Sequence, residues 1–456
     1  MKPVEAWSSA TASFLTADSA RHRREHYAQG SEGDVNSRVT CEDDRQTSTR
    51  PSCGHPIQLY EVAQDPATTR VLPLFQSFQG FATVNRVVRR CALIQRINRF
   101  PGSRMMNAIF AAGGSMKAVA LTRALPIDDP AALLDLDLPH PGPPRGHDLL
   151  VQVRAVSVNP VDTKQRRVPR ADDAPARVLG FDAAGVVEAT GPEVTAFAPG
   201  DEVYYAGDVT RPGCNAQWQH VDARVVGRKP NTLDFADAAA LPLTTLTAWE
   251  LLFDRMRLRL DDRRHRGQTL LVIGGAGGVG SMAIQLARHA GFTVVATASR
   301  PASADWCRAL GAQHVIDHRQ PLPPQLQALG ISTVDVALNL ADTDAYWDVL
   351  GELIAPQGHV GLIVEPKGPL RIGDPYKAKC ISLHWEFMFA RTRFGTADIC
   401  EQHRILNRVA SLVDAGELRS TAHTALGTIN AANMREAHRQ LEGGSVIGKL
   451  TLAGWD

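Results

Sequence analysis

The sequence predicts an α/β protein of two domains, a compact β-domain followed by a doubly wound, mainly parallel sheet. Three observations carry this expectation. From Met116 onward, short runs of alternating apolar and polar residues are joined by Pro-Gly and Gly-Asp turns, with no long helical pattern between them. After "LDFADAAALPLTTLTAWELLFDRMRL" the period changes, and strand-like and helix-like runs alternate. Within that alternation, a glycine-rich turn separates a wholly apolar strand from an amphipathic helix.

Residues 1–115 have a different character. They hold thirteen Arg and one Lys against ten acidic residues, about +4, which leaves about −3 for the remaining 341. They have no sustained period, although "VLPLFQSFQGFATVNRVVRRCALIQRI" is apolar enough for a strand or short helix. Two readings stay open: a partly disordered extension, or a start placed too early, with Met105, Met106 or Met116 as the real beginning. The opening "MKPVEAWSS" lacks the apolar core of a secretory signal, and no run approaches 18 apolar residues, so no membrane partner is expected. Overall, 49 basic residues nearly cancel 48 acidic ones, which excludes a nucleic-acid binder that works by neutralising phosphates. The seven cysteines are scattered and odd in number, which suits a reducing, cytoplasmic setting rather than a disulfide framework.

The first domain is expected over 116–244. "MKAVALTR" reads as a strand, "HDLLVQVRAVSVNP" alternates through Leu150, Val151, Val153, Ala155 and Val158, and "ARVLGFDAAGVVEATG", "FAPGDEVYYAG" and "NAQWQHVDARVVGRKP" follow as strands. Ala236–Leu241 and Leu246–Met256 read as helix, interrupted by Pro242. The second domain is expected over 245–380. It runs strand, turn, helix, strand through "QTLLVIGGAGGVGSMAIQLARHAGFTVVATAS", with Gly291 as the helix stop, and continues with "ADWCRALGA", "HVIDH", "VDVALNL", "AYWDVLGELI" and "GHVGLIV". Residues 381–456 return to mixed structure that pattern alone does not place.

The strongest chemical signal is Gly275, Gly277 and Gly280, which satisfy GxGxxG in the required context, with Gly274 and Gly278 adding flexibility and Val279 counted with them in the cofactor site. Gly275 is assigned the tight turn, Gly277 close approach to a pyrophosphate, and Gly280 close packing of helix on strand; helix N-terminal amides then face the phosphate charge. The next strand ends in Ala298-Ser299-Arg300-Pro301, with no acid for ribose hydroxyls. Ser299 and Arg300 suit a 2′-phosphate, so NADPH is expected over NADH; Arg300 as a plain surface charge is the alternative.

With both units in view, the chain resembles the medium-chain dehydrogenase/reductase superfamily, and within it the zinc-free, quinone-oxidoreductase-like branch often labelled zinc-type alcohol dehydrogenase-like. The resemblance covers about residues 116–456 and rests on "RAVSVNPVDTKQR", "VLGFDAAGVVEATG", "FAPGDEVYYAG", "LPLTTLTAWELLF", "IGGAGGVGSMAIQLAR", "LGAQHVIDH", "HWEFMFAR" and "GKLTL", in that order. It implies a GroES-like catalytic domain, a Rossmann cofactor domain, a C-terminal segment that returns to the first domain, an active site in the cleft between them, and a homodimer. It does not carry the metal. Zinc-dependent relatives have a Cys ligand in the region of Asn159 and a Gly-His-Glu motif where this chain has Gly180-Phe181-Asp182, so no metal site is expected.

The resemblance further implies site residues. Asn159 matches an Asn that lines the branch's substrate pocket, its amide donating to a carbonyl oxygen; a cap on the turn before Pro160 is the competing role. Asp162 is expected to organise that loop. Lys164 stands where the branch can carry a Tyr, so solvent is left as the proton source. Thr245 is expected near the nicotinamide, with Thr247 its rival. Asn339, at the end of a sheet strand, His318, where relatives often use Tyr, and Lys449, approaching the phosphates, complete the cofactor set. The small-molecule substrate is expected to be a quinone or an α,β-unsaturated carbonyl. Simple aldehydes or ketones, or an NADPH-binding redox sensor with little turnover, are the alternatives.

Overall fold

The computed structural model describes residues 114–171, 174–260 and 265–456, all within one compact unit. The expectations for residues 1–113 therefore lie outside the described residues.

The first domain begins with β1 (Ser115–Leu121), β2 (Leu134–Pro139), the eleven-residue β3 (Asp148–Val158), helix α1 (Pro160–Arg166), β4 (Arg177–Val178), β5 (Ala183–Thr190), β6 (Glu202–Tyr205), β7 (Trp218–Asp222) and β8 (Val226–Arg228). The strands β2-β1-β4 form a small sheet, and β3, β5, β6 and β8 pair antiparallel in a larger one, with β7 also on β3. β3 is nearly all buried, which fits its runs of Val and Leu at the centre of that sheet.

Helices α2 (Phe235–Ala239) and α3 (Pro242–Trp249) lead out of this domain. Pro242 does more than interrupt the expected helix. It occupies the first turn of α3, where its missing N–H costs nothing and its fixed φ suits the helix. α3 then widens into a π-helical turn over Glu250–Arg255.

The second domain follows as β9 (Thr269–Ile273), α4 (Gly278–His289), β10 (Thr293–Thr297), α5 (Pro301–Ala309), β11 (His314–Ile316), α6 (Leu322–Ala328), β12 (Val334–Asn339), α7 (Thr343–Leu353), β13 (Ile354–Leu362) and β14 (Ser382–Trp385). All pairings are parallel in the order β11-β10-β9-β12-β13-β14, the doubly wound arrangement whose strand order reverses between β9 and β12. The expected boundary after residue 380 is displaced. Residues Ser382–Trp385 pair with His359–Leu362 as the sheet's sixth strand, a parallel contact that a four-residue half-buried run does not announce.

The chain turns back only afterwards, through α8 (Ala390–Phe394), α9 (Glu401–Asp414), β15 (Ala422–Ala425), α10 (Ala431–Glu442) and β16 (Lys449–Ala453). β16 lies antiparallel on β3, with Leu450 opposite Val158 and Thr451 opposite Ser157. One apolar core runs from Phe181 and Tyr204 of the first domain through Leu246 of α3 to Leu270 and Met282 of the second, so the site is framed by one continuous packed body.

Candidate functional site

The sheet order places a ligand crevice at the carboxyl ends of β9 and β12, and the glycine turn stands there. Its glycines divide the work differently from expectation. Gly274, not Gly275, holds the left-handed conformation (φ +84°) of the tight turn. Gly275 is excluded from having a side chain by packing: a Cβ there would meet Ala296 Cβ at 2.8 Å. A Cβ on Gly280 would come within 2.2 Å of the Gly274 carbonyl oxygen, so close helix–strand packing requires glycine. Gly277, the N-cap of α4, faces open space except for one carbonyl 3.5 Å away, which fits a backbone that a phosphate approaches. Gly278 and Val279 form the first turn of α4. A Cβ on Gly278 would run into the Lys449 stem, 2.9 Å from Cδ.

At the far end of this crevice, Ser299 follows β10 and Arg300 caps α5. The Arg300 guanidinium donates to the Ser445 carbonyl at 2.6 Å. His318 is exposed. Its neighbour Arg319 is the residue the sequence reading missed. It donates to the Ser299 carbonyl at 2.7 Å, grips Asp317 with Nε and a terminal nitrogen, and holds that carboxyl down to about 2. A second guanidinium thus stands beside Ser299, and only the pairing of β10 with β11 brings it there. Asn339 is fully buried at the end of β12. Its amide donates to the Asp342 carbonyl at 2.8 Å and accepts from Ala341 N–H at 3.3 Å, which ties the following loop.

The polar centre is Asp182, buried at the start of β5. Its Oδ2 accepts from Asn159 Nδ2 at 2.8 Å, Ser157 Oγ at 3.0 Å and Lys449 Nζ at 3.0 Å. Its Oδ1 accepts from Leu243 N–H at 2.7 Å, in the first turn of α3, where a negative charge meets the helix N-terminus. Burial pushes the Asp182 carboxyl up, and the Lys449 ammonium and the hydrogen bonds pull it back. Lys449 also donates to the Val158 carbonyl at 3.0 Å and to Asn159 Oδ1. Its three N–H groups thus have three acceptors, and the ammonium turns into the first domain instead of toward the phosphate turn as expected.

Asn159 is held at both ends of its amide, by Asp182 and Lys449, with one Nδ2 hydrogen left over. Asp162 braces the same loop as expected, accepting from Asn159 N–H at 2.8 Å and Gly180 N–H at 3.0 Å. Between the two threonines, the hydroxyls decide. Thr247 Oγ1 donates to the Leu243 carbonyl of its own helix at 2.8 Å, whereas Thr245 Oγ1 is fully buried with no protein partner. A buried unpaired hydroxyl costs about 1–3 kcal/mol, so it is suited to a bound group.

By motif, Asp182 has no role beyond its failure to match a metal ligand set. The signal was available: one acid in the apolar, buried run "VLGFDAAGVV" requires partners. The side chains do not fit a zinc. Both Asp182 oxygens are occupied by donors, and Phe181, at the histidine position, packs edge-on against Phe389 at 5.4 Å between centroids. The Cys214 thiol is buried, its pKa pushed up by burial, and donates to the Asp182 carbonyl. His220 meets the Gly142 carbonyl instead. Among the described residues no group of three or more His, Cys, Asp or Glu side chains comes together to hold a metal.

A doubly wound nucleotide sheet joined to an antiparallel domain, with a buried amide and carboxylate beside the phosphate turn, defines a two-domain oxidoreductase. Residues 145–233 match the alcohol dehydrogenase GroES-like domain and residues 310–452 the zinc-binding dehydrogenase domain. A zinc-type alcohol dehydrogenase-like protein of Staphylococcus aureus is 41% identical over 309 residues, 68% of this chain and 91% of that one. A Rhizobium etli protein, provisionally named a zinc-dependent alcohol dehydrogenase, superposes with a TM-score of 0.71 at 50% identity, over 75% of this chain and 99% of its own. The quinone oxidoreductase of Coxiella burnetii superposes with a TM-score of 0.60 at 27% identity, over 74% and 99%. The chain belongs to the medium-chain dehydrogenase/reductase superfamily, whose members bind nicotinamide cofactors.

Proposed function

We propose that this oxidoreductase uses NADPH, without a metal, to reduce a quinone or an α,β-unsaturated carbonyl. The observation that carries the reading is the Asn159 amide, fixed between Asp182 and Lys449 with one N–H uncommitted, where metal-dependent relatives have ligands. The reduced nicotinamide supplies the hydride when bound. The Asn159 N–H donates to the oxygen on which charge builds, and it is already oriented before the reaction begins. The buried Thr245 hydroxyl takes a hydrogen-bond partner from the bound nicotinamide or substrate. Lys164, at the position of a possible tyrosine, is exposed, so the product oxygen takes its proton from solvent. Ser299, Arg300 and Arg319 receive the 2′-phosphate; Arg319 is held on the Ser299 carbonyl and Arg300 is the next residue, so two guanidiniums flank the end of β10, a site for a doubly charged group.

The test is cofactor oxidation by purified protein against quinone, enone and aldehyde panels, with NADPH and NADH. NADPH is expected to bind at least about tenfold tighter, and Arg319→Ala to erase most of that margin while leaving NADH untouched. Equal affinity for the two cofactors would remove the 2′-phosphate site. Turnover of simple aldehydes alone would move the substrate class, and tight NADPH binding with no turnover would leave a binding protein.

A further inference from the structure

Residues 443–449 form a strap along the nucleotide crevice. Gly444 (φ +66°) and Gly448 (φ +57°) adopt the left-handed turns that let it follow the surface. The Ser445 carbonyl receives Arg300 at the adenosine end, and Gly448 N–H donates to the Ala276 carbonyl inside the glycine turn at 2.8 Å. The Lys449 stem then lies on Gly278 and Thr244 is beside it, before the ammonium reaches Asn159 and Asp182. One short segment therefore touches the adenosine end, the phosphate turn and the amide.

We propose that Lys449 is a positioning residue for the reduction step, acting through Asn159. The inference rests on the reading that Asn159 donates to the substrate oxygen. An amide side chain can sit either way round, and its neighbours decide. Here the choice is forced. Asp182 Oδ2 is an acceptor and takes Nδ2, while the Lys449 ammonium has only donors and takes Oδ1. Without Lys449, Oδ1 has no donor, the single bond from Nδ2 to Asp182 is left to hold the amide, its plane can turn about that bond, and the uncommitted N–H loses its aim. A phosphate-binding role for Lys449 makes the opposite prediction, because all three of its hydrogens already have acceptors in the first domain.

The experiment is a double-mutant cycle in the full chain: wild type, Asn159→Ala, Lys449→Met and the double variant, with hydride transfer followed in single turnovers and NADPH affinity by fluorescence titration. Asn159→Ala is expected to slow hydride transfer about a hundredfold. Lys449→Met should slow it about tenfold or more, and the double variant no further than Asn159→Ala alone, with NADPH affinity changed less than about threefold throughout. Lys449→Gln separates positioning from folding. Like Met it removes the charge beside Asp182, but its amide restores a donor to Asn159, so most of the rate should return. Melting temperatures of the Met and Gln variants should be similarly lowered. Losses that multiply in the double variant would overturn the proposal, as would a Lys449→Met protein that loses NADPH affinity but keeps its hydride step. Equal rates for the Gln and Met variants would overturn it too. An unchanged rate in Asn159→Ala would instead remove the functional reading beneath it.

Discussion

At Asp162 both carboxyl oxygens accept backbone N–H groups inside a fully buried pocket, and burial pushes its pKa up to about 7 against those hydrogen bonds and the pull of Lys449. An unfolded Asp loses its proton near 3.9. Between about 4 and 7, then, the folded protein holds a proton that the unfolded chain has released, and this group's contribution to stability falls as pH rises through that window. Asp162→Asn removes the titration. It also turns an amide N–H toward a backbone N–H, at a cost of about 1–3 kcal/mol. In urea unfolding across pH 4.5–8 the stability gap between wild type and Asp162→Asn should narrow with rising pH; a gap that stays constant would show that Asp162 is ionised throughout. Single residues were the least legible level of the sequence. Family motifs located Asn159 and Asp162. The direction of Lys449 depended on β16 lying beside β3, and the role of Asp182 on four donors drawn from three separate elements. No local pattern carries such convergence.

At the level of elements the sequence was more informative, because strand–turn–helix–strand is a local pattern with a physical period. The glycine turn, α4 and the alternation through β13 followed from it. Two features did not. Positive φ falls on Gly274, one residue before the first glycine of the motif, because three of four consecutive residues are Gly and composition does not encode the sign of a dihedral. The edge strand β14 was assigned to the wrong domain, since a parallel partner leaves no turn to mark it. The glycines make a discriminating prediction. Gly280→Ala drives a Cβ onto a backbone oxygen that a flexible side chain cannot yield for, so the protein should lose about 3 kcal/mol or more, or fail to fold. Gly277→Ala meets only an ordinary contact, so it should melt within a few degrees of wild type and yet bind NADPH at least about tenfold more weakly. Thermal melts paired with cofactor titrations check both. A Gly277→Ala protein with full affinity would mean that the phosphates do not pass over that backbone.

For the whole molecule, no helix of the described residues is long and apolar enough to cross a membrane, and three of the exposed large apolar residues fall within five positions of one another along and just past β14. β14 is the last strand of its sheet, so one side of its backbone has no strand partner among the described residues. Leu383 and Trp385 alternate along it with 37% and 48% of their surface exposed, and Phe387 follows at 45%. An open strand edge beside large apolar side chains invites another chain, and natural edges are normally charged, bulged or covered. The homodimer that the family resemblance implies is expected to cover it, β14 against β14. A two-fold axis brings the same strand to itself in opposite direction, which satisfies both edges at once and closes the assembly at two. The buried side of the strand supports such a role. Glu386, just past its end, has its carboxyl pushed up by burial and by neighbouring Glu250 while Arg255 Nε donates to it at 2.7 Å, so the strand's end is held before any partner arrives. Light scattering on the eluted protein should therefore give about twice the chain mass. Trp385→Glu places a charge in the middle of that contact and should yield a monomer that keeps its far-ultraviolet circular dichroism. If wild type elutes as a monomer, or Trp385→Glu remains a dimer, the partner surface lies elsewhere.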